Sequence, residues 1–213
     1  LHLWYRRQRQ MCIRDSAGLS QIIIDLKRDG AKVRPIKNMA GGEDFNEVVF
    51  EDVVVPKDRI VGEAGNGWAQ VTSELAYERS GPERFLSAFR VFVELVRFCG
   101  PEPTQYQATV IGRIASHIMT LRRMSISVAG MLESGKDVVV EAALVKELGN
   151  NFEKLLPELA RVVGSDGFSD FSRDGDLFRR TFEDTMLLSP SFTLRGGTRE
   201  ILRGVIARGL GLR

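Results

Sequence analysis

The spacing of apolar positions along the chain changes character near residue 67. Before that point they alternate or cluster in short β-branched runs. After it they recur every three to four residues, the period of an amphipathic helix. Residues 19–26 (LSQIIIDL), 32–36 and 46–56 (NEVVFEDVVVP) read as strands, with polar turn residues at 27–30, a loop around Gly41–Gly42, and Pro56 as a terminator. No helical pattern separates them, so an antiparallel meander is expected rather than a parallel sheet. Three strands in about forty residues make little sheet to stand alone, which predicts the end of a larger β-domain.

The helical part opens at Trp68, Val71 and Leu75, breaks at Gly81–Pro82, and resumes with Phe85, Phe89, Phe92, Leu95 and Val96. A second helix is predicted over about 104–132, with Ile111, Ile114, Ile118, Leu121, Val128 and Leu132 on one stripe. A third carries Leu144, Leu148, Phe152, Leu155, Leu159 and Val162. Shorter helices follow over 176–188 and 198–210. Long amphipathic helices joined by short Gly/Pro loops predict an antiparallel bundle. The expected fold class is therefore α with a small β part. Its expected organisation is a tail over 1–16, a β segment over 17–63 and a helical bundle over 64–213.

Composition changes this picture little. With 43% hydrophobic and 27% charged residues, the 213-residue chain is ordinary for a globular protein, and no apolar run is long enough to span a membrane. Charge location says more than the net +2. Residues 1–16 hold Arg6, Arg7, Arg9 and Arg14 against Asp15 alone, so the remainder is close to neutral. That leaves no electrostatic footprint for nucleic acid. The tail has no apolar core of a secretory signal and reads as a non-native or disordered stretch. Cys12 and Cys99 form no disulfide framework, and with His2 and His117 they make no zinc-ligand spacing. A reducing, cytoplasmic setting is expected.

Two segments carry candidate chemistry. Gly196-Gly197-Thr198 with Glu200 marks a helix start whose exposed N–H groups suit phosphate or flavin oxygens, or simply a threonine-capped helix. In Tyr77–Arg84 (YERSGPER), Ser80 and Glu83 have capping-box spacing, and Glu78 sits at a helix break. There a carboxylate can face a cleft as a base, or lie exposed in a Glu–Arg pair. Gly164-Ser165-Asp166-Gly167-Phe168 reads as a helix C-cap and turn. His117 and Cys99 read as packing residues.

In order along the chain, VVFEDVVVP (48–56), VGEAGNGW (61–68), ELAYERSGPERFL (74–86), GSDGF (164–168) and LRGGTREILRGVIARGLGL (194–212) resemble the carboxy-terminal part of the acyl-CoA dehydrogenase family. The resemblance implies the end of the family's middle β-domain followed by its helical bundle. It also implies FAD, an acyl-CoA thioester substrate, electron-transfer flavoprotein as acceptor, and a homo- or hetero-oligomer. The implied reaction is α,β-dehydrogenation: a carboxylate takes the α-proton and the β-hydride passes to flavin N5. Most members place that carboxylate in an E-G-T triplet; here the triplet is Gly196-Gly197-Thr198, and Gly196 cannot be a base. In the long-chain and isovaleryl branches the base lies in an E-R pair on the first bundle helix. That pattern implies Glu78 as base and Arg79 as its substrate-side neighbour. The implied flavin contacts are Gly197, Thr198, Glu200, Arg161, Gly164 and Gly167, with Arg161 and Ser165 departing from the family's Q-x-x-G-G-x-G-F stretch. Alternatives left open are a non-catalytic subunit of a hetero-oligomeric dehydrogenase and a cofactor-free helical interaction module.

Overall fold

Proline and glycine set the breaks between elements. A computed structural model describes residues 18–27, 30–165 and 173–212; the tail expected at 1–16 lies outside them. The chain divides into two compact units, Leu1–Leu75 and Ala76–Arg213.

In the first unit, β1 (Ala31–Ile36) and β2 (Phe45–Phe50) form an antiparallel hairpin with Ala31 opposite Phe50 and Ile36 opposite Phe45. The strand expected over 46–56 is cut short at Phe50, since Asp52 turns the backbone into the left-handed region at φ 50°. Residues 19–26, expected as a strand, join no ladder. They make isolated bridges instead, Leu19 to Asn66 and Ile22 to Ile60, with the Ile23 and Val61 amides bonded across the gap. Both faces of the hairpin stay exposed, including Val33, Ile36, Phe45, Val48 and Phe50.

The helices are α1 (Gly67–Ser80), α2 (Phe89–Cys99), α3 (Gln105–Glu133), α4 (Val139–Val163), α5 (Arg173–Leu188) and α6 (Arg199–Gly209). Their positions follow the apolar spacing. Thr104 and Gln107 close a reciprocal capping box at the start of α3. Gly135, at φ 72°, ends it in a Schellman turn, with Gly135 N–H on Leu132 and Lys136 N–H on Met131. That turn reverses the chain so that α3 and α4 pack antiparallel. The core joins Phe85, Val91 and Leu95 to Ile114, Leu121 and Val128 of α3, Val145, Phe152 and Leu156 of α4, and Phe178 and Phe182 of α5.

The buried face of α4 is not the stripe read from its leucines. Leu148 and Val162 are exposed, whereas Ala142, Ala143, Val145, Gly149, Phe152, Leu156 and Ala160 are buried. Helix α4 is central, contacting α2, α3, α5 and α6. Neighbours on several sides need small residues for close approach more than they need one broad leucine face.

Candidate functional site

Helix α1 stops at Ser80 because Pro82 offers no N–H and pushes Gly81 into extended backbone, φ −64°, ψ 153°. The expected Ser80–Glu83 capping box does not form. The Ser80 hydroxyl instead donates back to the Ala76 carbonyl at 3.0 Å, and the following 3-10 turn, Pro82–Arg84, has no side-chain cap. The break folds Arg84 back over the end of α1. Its buried guanidinium donates from Nε to the Glu78 carbonyl oxygen (2.8 Å) and from Nη2 to Glu78 Oε1 (2.5 Å). One cation thus grips both the main chain and the carboxylate of Glu78, which keeps its side chain 41% exposed. Such charge-assisted bonds fix orientation as well as charge.

The next residue faces inward. Arg79 is 8% exposed and donates from Nε to the Gly196 carbonyl at 3.0 Å, and burial pushes its guanidinium below its usual range. That bond spans more than a hundred residues and brings the Glu78–Arg79 pair against the Gly196–Gly197 turn. Gly196 and Gly197 sit at φ 68° and 107°, backbone that glycine adopts without strain. A Cβ on Gly196 would lie 3.2 Å from Glu78 Oε1, and one on Gly197 3.6 Å from Arg79 Nη2. The two segments singled out in the sequence therefore meet.

After Gly197, Thr198 is the N-cap residue of α6, but its hydroxyl does not cap the helix. It bonds Glu200, whose carboxyl is held below its usual range first by its own backbone N–H and then by Thr198. Glu147 of α4 anchors this helix start, accepting from Arg199 Nη2 and Arg203 Nε at 3.0 Å each. Burial raises the Glu147 carboxyl, and the Arg199 and Arg203 bonds outweigh it, leaving it below the usual range. Exposed Thr198 and the bare glycine turn leave room for an oxygen of a flavin at this helix start, where the Glu200 amide is taken by its own carboxylate.

Arg161 and Gly164, also expected as flavin contacts, lie elsewhere. Arg161 is exposed and paired with Glu158 at 3.0 Å. Gly164 is buried with its Cα against the Phe178 ring, where any side chain would overlap the ring, so packing alone requires glycine there. Gly167 lies outside the described residues. Helix α6 meets α4 at Glu147, and Arg161 is fourteen residues further along, about 21 Å at 1.5 Å per residue. Within one chain the structure does not bring Arg161 beside Thr198.

Sequence reasoning missed the polar residues beneath this site. Lys146, Asn150 and Glu153 are fully buried on one stripe of α4. Lys146 Nζ donates to the Phe192 carbonyl at 3.2 Å. Glu153 accepts from the Ser87 N–H (3.0 Å) and from Arg195 Nη2 (3.4 Å), and Arg195 also stacks on Phe192. Burial raises the Glu153 carboxyl despite these partners, and lowers Lys146 to about 8. The residues were in view as polar letters at helical spacing, but an exposed face gives the same letters. A groove of about 490 Å³ between α3 and α4 is lined by Met119, Met124, Val128 and Leu144 and by no candidate site residue. Among the described residues no helix is long and apolar enough to cross a membrane.

Comparison with known proteins agrees with this architecture. The family model described as acyl-CoA dehydrogenase, C-terminal domain, matches residues 65–211. Acyl-CoA dehydrogenase IpdE1 of Mycobacterium tuberculosis is 30% identical over 201 residues, covering 92% of this chain and 51% of the relative. The IpdE1 of Mycolicibacterium smegmatis is 29% identical over 203 residues, covering 92% and 50%. Among solved structures, the ChsE4–ChsE5 complex of Mycobacterium tuberculosis (24% identity, TM-score 0.74) is covered over 54% of its chain. The Tcur3481–Tcur3483 steroid ACAD (20% identity, TM-score 0.78) is covered over 53%; each alignment takes in 93% of this chain. The chain spans about half the length of the curated relatives it matches. With the helix order, the glycine turn and the family match in agreement, the chain belongs to the acyl-CoA dehydrogenase family and carries its carboxy-terminal helical domain.

Proposed function

We propose that this chain provides the base and part of the flavin site of an FAD-dependent acyl-CoA dehydrogenase, with Glu78 removing the α-proton of an acyl-CoA thioester. The family is FAD-dependent in general. The observation that carries the reading is the meeting of Glu78 with Gly196. The side chain missing at Gly196 leaves room against the Glu78 carboxylate, so one carboxylate serves a place that two segments of the family can supply. Arg84 orients that carboxylate and Arg79 fixes the turn beneath it. A base held in one rotamer meets the α-carbon without first giving up orientational freedom. When bound, the flavin supplies the hydride acceptor. The Thr198 turn would hold it, and Gly197 leaves space for its approach. On this reading residues 17–63 are the end of the family's middle β-domain, electron-transfer flavoprotein takes the electrons, and the working form is an oligomer.

A second reading has its own support. A glycine in the usual base position, together with similarity to the ChsE4–ChsE5 and Tcur3481–Tcur3483 assemblies, favours one subunit of a hetero-oligomer whose partner carries the chemistry. Glu78→Gln separates the two. In protein loaded with FAD, turnover of an acyl-CoA panel with an artificial acceptor should fall by roughly 10²–10⁴-fold or more while flavin absorbance is retained. Unchanged turnover removes Glu78 as base. Flavin bound without turnover in the wild type moves the base to a partner.

A further inference from the structure

A lysine without exposure is expensive, and its surroundings say what it is for. Lys146 lies in the N-terminal third of α4, one turn before Asn150 and two before Glu153, and is fully buried. Its Nζ holds the Phe192 carbonyl, at the end of the chain segment that runs into Arg195 and Gly196. Arg195 is tied at the other side of that segment to Glu153 and, at 2.9 Å, to the Ser87 hydroxyl. The segment carrying the glycine turn is thus held from below at two points by the stripe Lys146–Glu153, and from the side by Arg79. Groups from four elements act electrostatically on Lys146. They are Glu153 of α4, Arg84 of the 3-10 turn, Arg195 before α6, and Glu78 near the end of α1. Arg84 is itself bonded to Glu78.

We propose that Lys146 is a positioning residue of the Glu78 site, holding the Phe192–Gly196 segment in place through the Phe192 carbonyl and placing a buried charge that the Glu78 carboxylate senses. The interest of that coupling rests on Glu78 being the base, but the coupling itself does not need turnover to be seen. A methionine of similar length would fill the same space without the desolvation cost. What lysine adds is the bond to Phe192 and a charge beneath the site. Because burial brings Lys146 down to about 8, that charge is lost within an accessible pH range.

The test reads the carboxyl carbon of Glu78 by ¹³C NMR in the full chain, assigned by its disappearance in Glu78→Gln. In the wild type that resonance should show a step near pH 8, as Lys146 gives up its proton. Lys146→Met should abolish the step. Lys146→Arg keeps the charge and stays charged through this range, so it should also abolish the step, and it serves where the methionine variant does not fold. Asn150→Leu disturbs the same buried stripe without touching a charge and should keep the step. A wild-type resonance flat across pH 8 overturns the proposal. So does a step that persists in the Met or Arg variant, or one lost in Asn150→Leu. Loss of activity in Glu78→Gln is a separate result, so failure of the base assignment and failure of the coupling are distinguishable.

Discussion

Three helical glycines give a sharp test of the close packing that builds the site. Gly112 and Gly130 of α3 are exposed, and a Cβ on either meets no atom within 4 Å. Gly149 of α4 is buried against the Arg84–Phe85 backbone. An alanine Cβ there would overlap the Arg84 carbonyl oxygen, and would lie 3.2 Å from the Arg84 carbonyl carbon and 3.3 Å from Phe85 Cβ. Restoring ordinary contact requires α4 and the turn to separate by on the order of 1 Å. Replacing a helical glycine by alanine gains about 1 kcal/mol of helix propensity at all three positions. Overpacking costs about 1–3 kcal/mol at Gly149 only. Gly149→Ala should therefore be less stable than Gly112→Ala or Gly130→Ala by about 1–3 kcal/mol, a difference in which propensity cancels. For a unit of this size that is a gap of roughly 3–12 °C in Tm. The assay is thermal and urea unfolding of each variant, followed by circular dichroism. Gly149→Ala as stable as the two α3 variants would refute the close approach of α4 to the turn that holds Arg84, and with it the placement of Glu78.

Other outcomes follow from the same contacts. Leu202, fully buried below Gly197, should cost about 2–5 kcal/mol as Leu202→Ala, while exposed Ile201→Ala should stay within about 0.5 kcal/mol, both read from urea midpoints. Lys146 is lowered from 10.5 to about 8, so between those pH values the unfolded chain binds more protons than the folded one, and stability rises with pH. The gain is roughly 3 kcal/mol at most; it should be absent from Lys146→Met and so appear as the change, between pH 7.5 and pH 10, in the stability difference between wild type and that variant. Subtracting the variant also removes the opposing effect of the Cys99 thiol, which burial pushes up.

The sequence alone determined the helices, because a 3.6-residue apolar period and glycine or proline at the breaks are local properties. It also determined that Gly196 carries no base and that Glu78-Arg79 stands at a helix end. Strands were less legible. Residues 19–26 have β-branched composition, yet a strand exists only when a ladder partner is in register, and partners are set at long range. Tertiary structure decided which face of α4 is buried, since several neighbours share that helix and its alanines and Gly149 admit them. It also decided the partners. Glu78 and Arg84 are six residues apart across a proline break, and Arg79 and Gly196 are 117 apart. No local periodicity encodes either pairing. Nor does any distinguish Lys146 and Glu153, buried beneath the site, from lysines and glutamates of a solvated face, because burial is a property of what packs against a residue.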